Sequence, residues 1–277
     1  MDDMARAFLE YPALQRALAA CLFCGFGCSL LSVFVTLLRM PLIGVAMSHA
    51  AFAGAVGGML IGINPVASGF VLCLLAAALI GPFADRADTS PENALGIVFS
   101  FLMGAAFLGM GVLTRSHAGA LNLMWGSLLS IRAWHVWALA AISAAVLLFV
   151  VLFFKEIRCV LYNRRLAASA GVPERAIYYA LLLLTGATVS VNLTTVGGLL
   201  IFALLVQPGA TASQLTYNLK WFFVISACAG VTACLGGLII SGLFDLPSGA
   251  CVVMASTALF ALAFAASPKR RAARRNH

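Results

Sequence analysis

Two side chains carry most of the chemistry that this sequence offers, His49 and Asp245. His49 lies in the apolar stretch Gly44-Val45-Ala46-Met47-Ser48-His49-Ala50. Asp245 is the only acidic residue after Glu174, set in Ser241-Gly242-Leu243-Phe244-Asp245-Leu246-Pro247-Ser248-Gly249. A neutral imidazole and a carboxylate suit Zn²⁺, Mn²⁺ or Fe²⁺ better than the hard, strongly hydrated Mg²⁺. Pro247 and the glycines around it predict a broken or terminating helix, a kind of backbone that membranes tolerate where it lines a cavity. The same two residues also fit a histidine hydrogen-bonded between helices and a carboxylate in an external loop.

Other groups are weaker candidates. Cys21, Cys24 and Cys28 sit at helical spacing and imitate a metal cluster. Small hydrophobic thiols packed between helices explain them without a metal, and no disulfide framework is implied. Gln207-Pro208 predicts a kinked span, and Asn192-Leu193-Thr194-Thr195 predicts an external turn. His117 and His135 fall near span ends, where solvated histidines are ordinary, and His277 is terminal. No G-x-x-x-x-G-K-[ST] phosphate cradle occurs, so the chain does not hydrolyse ATP by that route. It is driven by a separate ATPase or by an ion gradient, or it is a passive channel. A gradient-driven pump would carry more intramembrane carboxylates than Asp245.

The elements that hold these residues must lie in lipid. Of 277 residues, 63% are hydrophobic and 9% charged, against roughly 25% charged in a soluble domain. Stretches without Asp, Glu, Lys or Arg run over 40–84, 93–114, 116–131, 133–154, 176–219, 221–244 and 246–268. At about 20 apolar residues per span, the first and fifth are each long enough for two. With a run over Ala17–Leu38, the expectation is eight or nine helices. Long runs without period-2 alternation choose helices over a barrel. Asn64-Pro65 predicts a tight turn, 83–92 a polar cytoplasmic loop, and 115–132 a longer, partly helical external segment bearing His117, Asn122 and Trp125. The glycine spacings 54, 58 and 62 predict close helix packing. Met1–Gln15 is mixed in charge and does not resemble a cleavable signal.

The formal charge of +8 is a topology signal, with no nucleic acid implied. Thirteen of 17 basic residues (Arg39, Arg86, Lys155, Arg158, Arg164, Arg165, Arg175, Lys220, Lys269, Arg270, Arg271, Arg274 and Arg275) fall on loops of one side once the spans are counted. The positive-inside rule places those loops and the C-terminus in the cytoplasm. Between Lys155 and Arg175, Leu166-Ala167-Ala168-Ser169-Ala170 followed by Gly171-Val172-Pro173 predicts a short helix outside the membrane. A bland loop fits as well, but such a helix is a natural handle for another subunit.

Motifs along the chain carry a resemblance. Gly44-Val45-Ala46-Met47-Ser48-His49-Ala50 resembles the G-D-x-[LM]-[SA]-H-[AS] motif of bacterial metal-ion ABC permeases of the zinc, manganese and iron type. Asn93–Ser100, Leu123–Leu129, Ala170–Pro173, Val196–Leu200 with Ala203–Ala212, and Asp245–Gly249 resemble further signatures of that family, in family order. The resemblance implies an all-α integral membrane protein, a polytopic bundle of 8–9 transmembrane helices forming one permease domain over 1–277. Its core would cover about 14–266, a coupling segment 156–175, and a basic cytoplasmic tail 267–277.

It also implies partners: two copies of a cytoplasmic ATP-binding cassette ATPase, an extracytoplasmic metal-binding protein, and a second copy or a related permease. Leu166, Ala167, Ala168, Ser169, Ala170, Gly171, Val172 and Pro173 would couple to the ATPase. His49 and Asp245 would contact a divalent metal ion that is transported by alternating access, with no permanently bound cofactor, across a bacterial plasma membrane. Zinc is expected first, manganese or iron next. One departure bears on the site: Val45 stands where the motif has Asp, so a carboxylate expected beside His49 is missing. A heterodimer, a different substrate or a shifted site would each account for it. A permease for a metal chelate or other small organic substrate, and a stand-alone gradient-driven transporter, are the alternatives.

Overall fold

Residues that start or stop a helix bound most of the apolar runs that fall within residues 12–86, 89–112 and 131–267, which the computed structural model describes. The helices are α1 (Pro12–Leu37), α2 (Ile43–Ile61), α3 (Pro65–Arg86), α4 (Pro91–Val112), α5 (Ala133–Leu152), α6 (Phe154–Tyr162), α7 (Arg164–Ser169), α8 (Glu174–Val196), α9 (Gly198–Leu215), α10 (Leu219–Phe244) and α11 (Ser248–Ala266). Pro65 and Pro91 open α3 and α4 at the position where a missing N–H costs nothing. Asn64 Oδ1 accepts from the Val66 N–H at 2.9 Å, Ser90 Oγ from Asn93 at 3.2 Å, and Asn218 Oδ1 from Lys220 at 3.0 Å. These side chains satisfy donors that a helix start leaves free.

Among the described residues, eight helices are long and apolar enough to cross a membrane, with α9 a shorter apolar helix over Leu200–Leu215. No strand occurs among them. The chain is a polytopic helical membrane protein. The run 40–84 divides at Asn64-Pro65 as expected. The run 176–219 also divides, but not where the sequence placed its turn. Asn192-Leu193-Thr194-Thr195 lies inside α8, and the break comes at Gly197, whose φ is +84°. Asn192 Nδ2 donates to the Thr188 carbonyl at 2.7 Å, and Thr195 Oγ1 to the Asn192 carbonyl at 2.9 Å. Polar side chains that bond back onto their own helix let it continue without a turn, and Asn192 Oδ1 stays buried without a hydrogen-bond partner among the described residues. The 83–92 loop is likewise shorter than expected, because α3 runs to Arg86 and α4 begins at Pro91. His117, Asn122, Trp125, the 123–129 motif and the tail beyond Ser267 lie outside the described residues.

The helices pack in two groups. One joins α2, α3, α4 and α8; the other joins α1, α9, α10 and α11, with α5 against α1. Lipid gives helices no hydrophobic push toward each other, so backbones must approach closely. At Gly54 an added Cβ would stand 2.6 Å from the Ser68 carbonyl oxygen and 2.8 Å from Gly69 Cα. At Gly25 it would stand 2.9 Å from the Gly230 carbonyl oxygen. Hydroxyls add polar ties: Ser226 Oγ donates to the Ser29 carbonyl at 2.7 Å, and Ser143 Oγ to Phe23 at 2.7 Å. Phe101, Leu108, Trp137, Val151, Met254 and Leu262 stay exposed, an apolar surface suited to lipid.

Candidate functional site

α2 is buried on nearly every side. Its first two half-buried positions are Val45 and His49, and Gly57 follows two turns later. Ala53, between them, is 8% exposed. Positions four apart lie one above another on a helix, so these residues line a single stripe, half-buried at Val45, His49 and Gly57 and covered at Ala53. On that stripe His49 Nδ1 lies 2.9 Å from the Val45 carbonyl oxygen. A carbonyl only accepts, so Nδ1 carries a hydrogen; in the neutral ring this leaves the lone pair on Nε2, the form in which imidazole ligates a metal. The ring stands edge-to-face on Phe99 of α4, with centroids 5.0 Å apart and planes at 88°.

The rest of α2 is fixed from behind. The Cys73 thiol of α3 lies 3.4 Å from the Met47 carbonyl oxygen and 3.2 Å from that of Gly186 in α8. Ser48 Oγ donates to the Gly44 carbonyl at 2.8 Å. An added Cβ on Gly44 would come 3.0 Å from Leu205 Cδ1, so α9 presses close on that side.

Asp245 occupies a different place. It follows the last residue of α10 with a left-handed φ of +52°. The Leu246 N–H donates to the Ser241 carbonyl at 3.2 Å, and Ser241 Oγ donates to the Leu246 carbonyl at 2.6 Å. The residue is exposed. α10 packs on α1, α9 and α11, whereas α2 packs on α3, α4, α8 and α9. One chain therefore does not bring His49 and Asp245 into one cluster. Among the described residues no group of three or more His, Cys, Asp or Glu is arranged to hold a metal ion. Cys21, Cys24 and Cys28 are core residues of α1, buried with Cys234 of α10.

Gln207 and Pro208 lie inside α9. Gln207 Nε2 donates to Thr257 Oγ1 of α11 at 2.9 Å. The Gly209 N–H, just after the proline, donates to Ser32 Oγ of α1 at 2.8 Å. A neighbouring helix thus takes up a donor at a point where proline disturbs the ladder.

In the predicted coupling segment, α7 covers Arg164–Ser169 and stops before Gly171, whose φ is +78°. Leu166 is 58% exposed and Ala167 is buried. Ala168, Ser169, Ala170, Gly171 and Pro173 are exposed, and Val172 is half-buried. The apolar Leu166 thus points outward from a helix that does not cross the membrane. A second short helix, α6, precedes it and was not foreseen.

An ionic knot beside α7 joins residues that the sequence shows only as scattered loop charges. Arg164 Nε donates to Glu174 Oε2 at 2.9 Å, and its Nη2 lies 3.6 Å from Asp85 Oδ2. The available signal is the placement of the acids: of nine Asp and Glu in the whole chain, five (Asp85, Asp88, Glu92, Glu156 and Glu174) fall in the 83–92 and 155–175 segments, on the side of the basic loops.

A family model described as "ABC 3 transport family" matches residues 10–267. The chain is 33% identical over 266 residues to the manganese transport system membrane protein MntC of Halalkalibacterium halodurans, covering 95% of this chain and 90% of that one. It is 28% identical over 262 residues to the manganese import system permease protein ScaB of Streptococcus parasanguinis, covering 95% and 93%. Among solved structures, PsaBC from Streptococcus pneumoniae in complex with Fab superposes with a TM-score of 0.86 at 26% identity, covering 100% of this chain and 99% of that one. A match over nearly the whole length, in sequence and in fold, places this polytopic membrane protein in the ABC 3 transport family.

Proposed function

We propose that this chain is the membrane-spanning subunit of an ATP-driven importer that carries a divalent transition-metal ion into the cytoplasm. The observation that carries this reading is the half-buried stripe of α2: among the described residues, a histidine whose Nδ1 is bonded to its own helix stands on the less covered side of a helix that is otherwise buried over most of its length. Intramembrane ionisable groups are expensive and face a pathway or a partner. A second copy, or a related permease, would close the stripe and bring a second set of ligands to His49. Asp245, at the exposed end of α10, would meet the ion at a mouth of the path. Alternating access would expose the stripe to one side at a time.

Energy would come from a cytoplasmic ATP-binding cassette ATPase docked on Leu166–Pro173, with an extracytoplasmic protein delivering the metal. The basic loops and C-terminus would face the cytoplasm of a bacterial plasma membrane.

Manganese leads the substrate order, because the similar permeases are named for it. Zinc is the second reading and has its own support. With Val45 one turn before His49, two identical copies would offer imidazoles and no carboxylate there, and such a nitrogen-rich set favours zinc over manganese. Uptake of Mn²⁺, Zn²⁺ and Fe²⁺ in cells lacking and regaining the chain, with and without ATP depletion, tests the proposal. ATP-dependent uptake of one metal that returns with the chain supports it. Uptake that persists after removal of the ATPase would transfer the chain to the gradient-driven class, and no metal uptake from an intact assembly would favour a chelate.

A further inference from the structure

One guanidinium on the side of the basic loops holds three helices together. Arg164, the first residue of α7, donates through Nε to Glu174 Oε2 at 2.9 Å, and its Nη2 lies 2.9 Å from the same oxygen. Glu174 opens α8. Nη2 also stands 3.6 Å from Asp85 Oδ2, next to the last residue of α3. Tyr179 Oη of α8 donates to that same carboxylate oxygen at 2.8 Å. The guanidinium carbon sits 4.0 Å from the centre of the Tyr178 ring. On its far edge the Tyr178 hydroxyl donates to Met40 Sδ at 3.6 Å, three residues before α2 begins.

The parts of this chain of contacts differ in their surroundings. Tyr178 and Met40 are 1% and 2% exposed, locked in the core. The side chains of Arg164 and Glu174 are 26% and 14% exposed, so their pairing is screened less than a surface ion pair. Beside them lies an open cavity of about 620 Å³ lined by Asp85, Thr89, Arg164, Arg165, Glu174 and Arg175 among others. Among the described residues, α7 packs chiefly on α6 and α8. On the α3 side the short helix therefore borders a void and is held by charge. Only arginine supplies both a planar fork for two carboxylates and a flat face for an aromatic ring.

We propose that Arg164 is a positioning residue, a clamp that ties α7 to α3 and α8 and, through Tyr178 and Met40, sets the end of α2. Displacement of α7 by an ATP-hydrolysing partner then moves the helix that bears His49. This rests on the reading of Leu166–Pro173 as the docking segment. Without the clamp α7 rocks against the cavity, and ATP is spent with little movement of α2.

The test uses the chain assembled with its ATP-hydrolysing subunit in proteoliposomes, with Mn²⁺ uptake and ATP hydrolysis followed on the same vesicles. Arg164→Gln is expected to lower the Mn²⁺ carried per ATP by about tenfold, the scale of an ordinary coupling energy. Arg164→Lys should keep the charge and restore part of the ratio, and Tyr178→Leu should lower the ratio with both ion pairs in place. An unchanged ratio in Arg164→Gln overturns the clamp. So does an equal fall of uptake and hydrolysis, which is what lost docking or misfolding produces.

A second measurement is independent of transport: amide hydrogen exchange at Ile43 and Ala46, whose N–H groups bond the Met40 and Leu42 carbonyls in the first turn of α2. Arg164→Gln should speed their exchange by about fivefold. Unaltered protection overturns the clamp whatever the vesicles do. Absence of ATP-dependent uptake by the unaltered complex, with the exchange effect present, would instead count against the transport reading alone.

Discussion

His49 Nδ1 lies 2.9 Å from the carbonyl oxygen of Val45, one helical turn back on the same half-buried stripe of α2. That bond orients the ring and leaves Nε2 as the atom presented away from the helix backbone. A backbone carbonyl is one of the usual second partners, beside carboxylate and water, that hold the other nitrogen of a ligating imidazole in metal sites.

Replacing His49 with Ala should therefore remove a ligand with little cost to the fold. The ring is half-buried and its ties are one hydrogen bond to its own helix and an edge contact with Phe99. Metal uptake is expected to fall by at least about tenfold, as even outer-shell losses cost ten- to a hundredfold in metal affinity. Stability should change by about 1 kcal/mol or less, the cost of a typical hydrogen bond. Uptake at matched membrane expression, with melting of the purified protein alongside, reads both numbers. Undiminished uptake would remove His49 from the pathway.

Val45 invites the opposite experiment. It precedes His49 by one turn on the same stripe, so Val45→Asp would place a carboxylate beside the imidazole. Manganese prefers oxygen ligands more than zinc does, so added carboxylates should raise Mn²⁺ affinity more than Zn²⁺ affinity. Equilibrium binding of both ions to the purified assembly should show the ratio moving toward manganese. A ratio that stays fixed would mean that the ion does not reach this level of the stripe.

The fold was legible because lipid leaves so few choices. Apolar runs, prolines at helix starts and Asn64 and Asn218 as caps mark most boundaries. The misreading of Asn192–Thr195 as a turn has a physical cause. Asn and Thr signal a turn when their side chains compete with the backbone, but here they bond back onto α8 and the helix continues to Gly197. His49 was legible as an expensive polar group in an apolar run. The stripe on which it stands was not, because which face of a helix stays less covered depends on all of its neighbours, from α3 next in the chain to α8 and α9 far along it. The Arg164 clamp was hidden for the same reason. Asp85, Arg164 and Glu174 look like ordinary loop charges until α3, α7 and α8 meet.

Asp245 can be tested for function apart from fold because its backbone is already unusual. Its φ of +52° is left-handed, a region that favours glycine. Asp245→Gly should leave stability unchanged or raise it by up to about 1 kcal/mol, the order of the strain that an L side chain carries there. If the carboxylate meets the incoming ion, both Asp245→Gly and Asp245→Asn should raise the apparent KM for uptake several-fold and leave the maximal rate nearly intact. Wild-type KM in both variants would reduce Asp245 to a helix cap.

Two glycines of α2 separate packing within the chain from packing against a second one. A Cβ at Gly54 would meet Ser68 O at 2.6 Å and both Gly69 Cα and Leu72 Cβ at 2.8 Å, and two of these atoms are backbone. Gly54→Ala must push α2 and α3 apart, at a cost of about 1–3 kcal/mol. At Gly57, on the open stripe, an added Cβ meets nothing within 4 Å. Gly57→Ala should therefore be neutral or stabilise the single chain by about 1 kcal/mol through helix propensity. A larger residue there still fits the single chain but not a stripe covered by a partner. Gly57→Leu is thus expected to keep the melting temperature of the isolated chain while lowering uptake or the yield of the assembled transporter. Full uptake and full assembly from Gly57→Leu would mean that the stripe faces lipid, and the path for the ion would have to be sought on another face of the bundle.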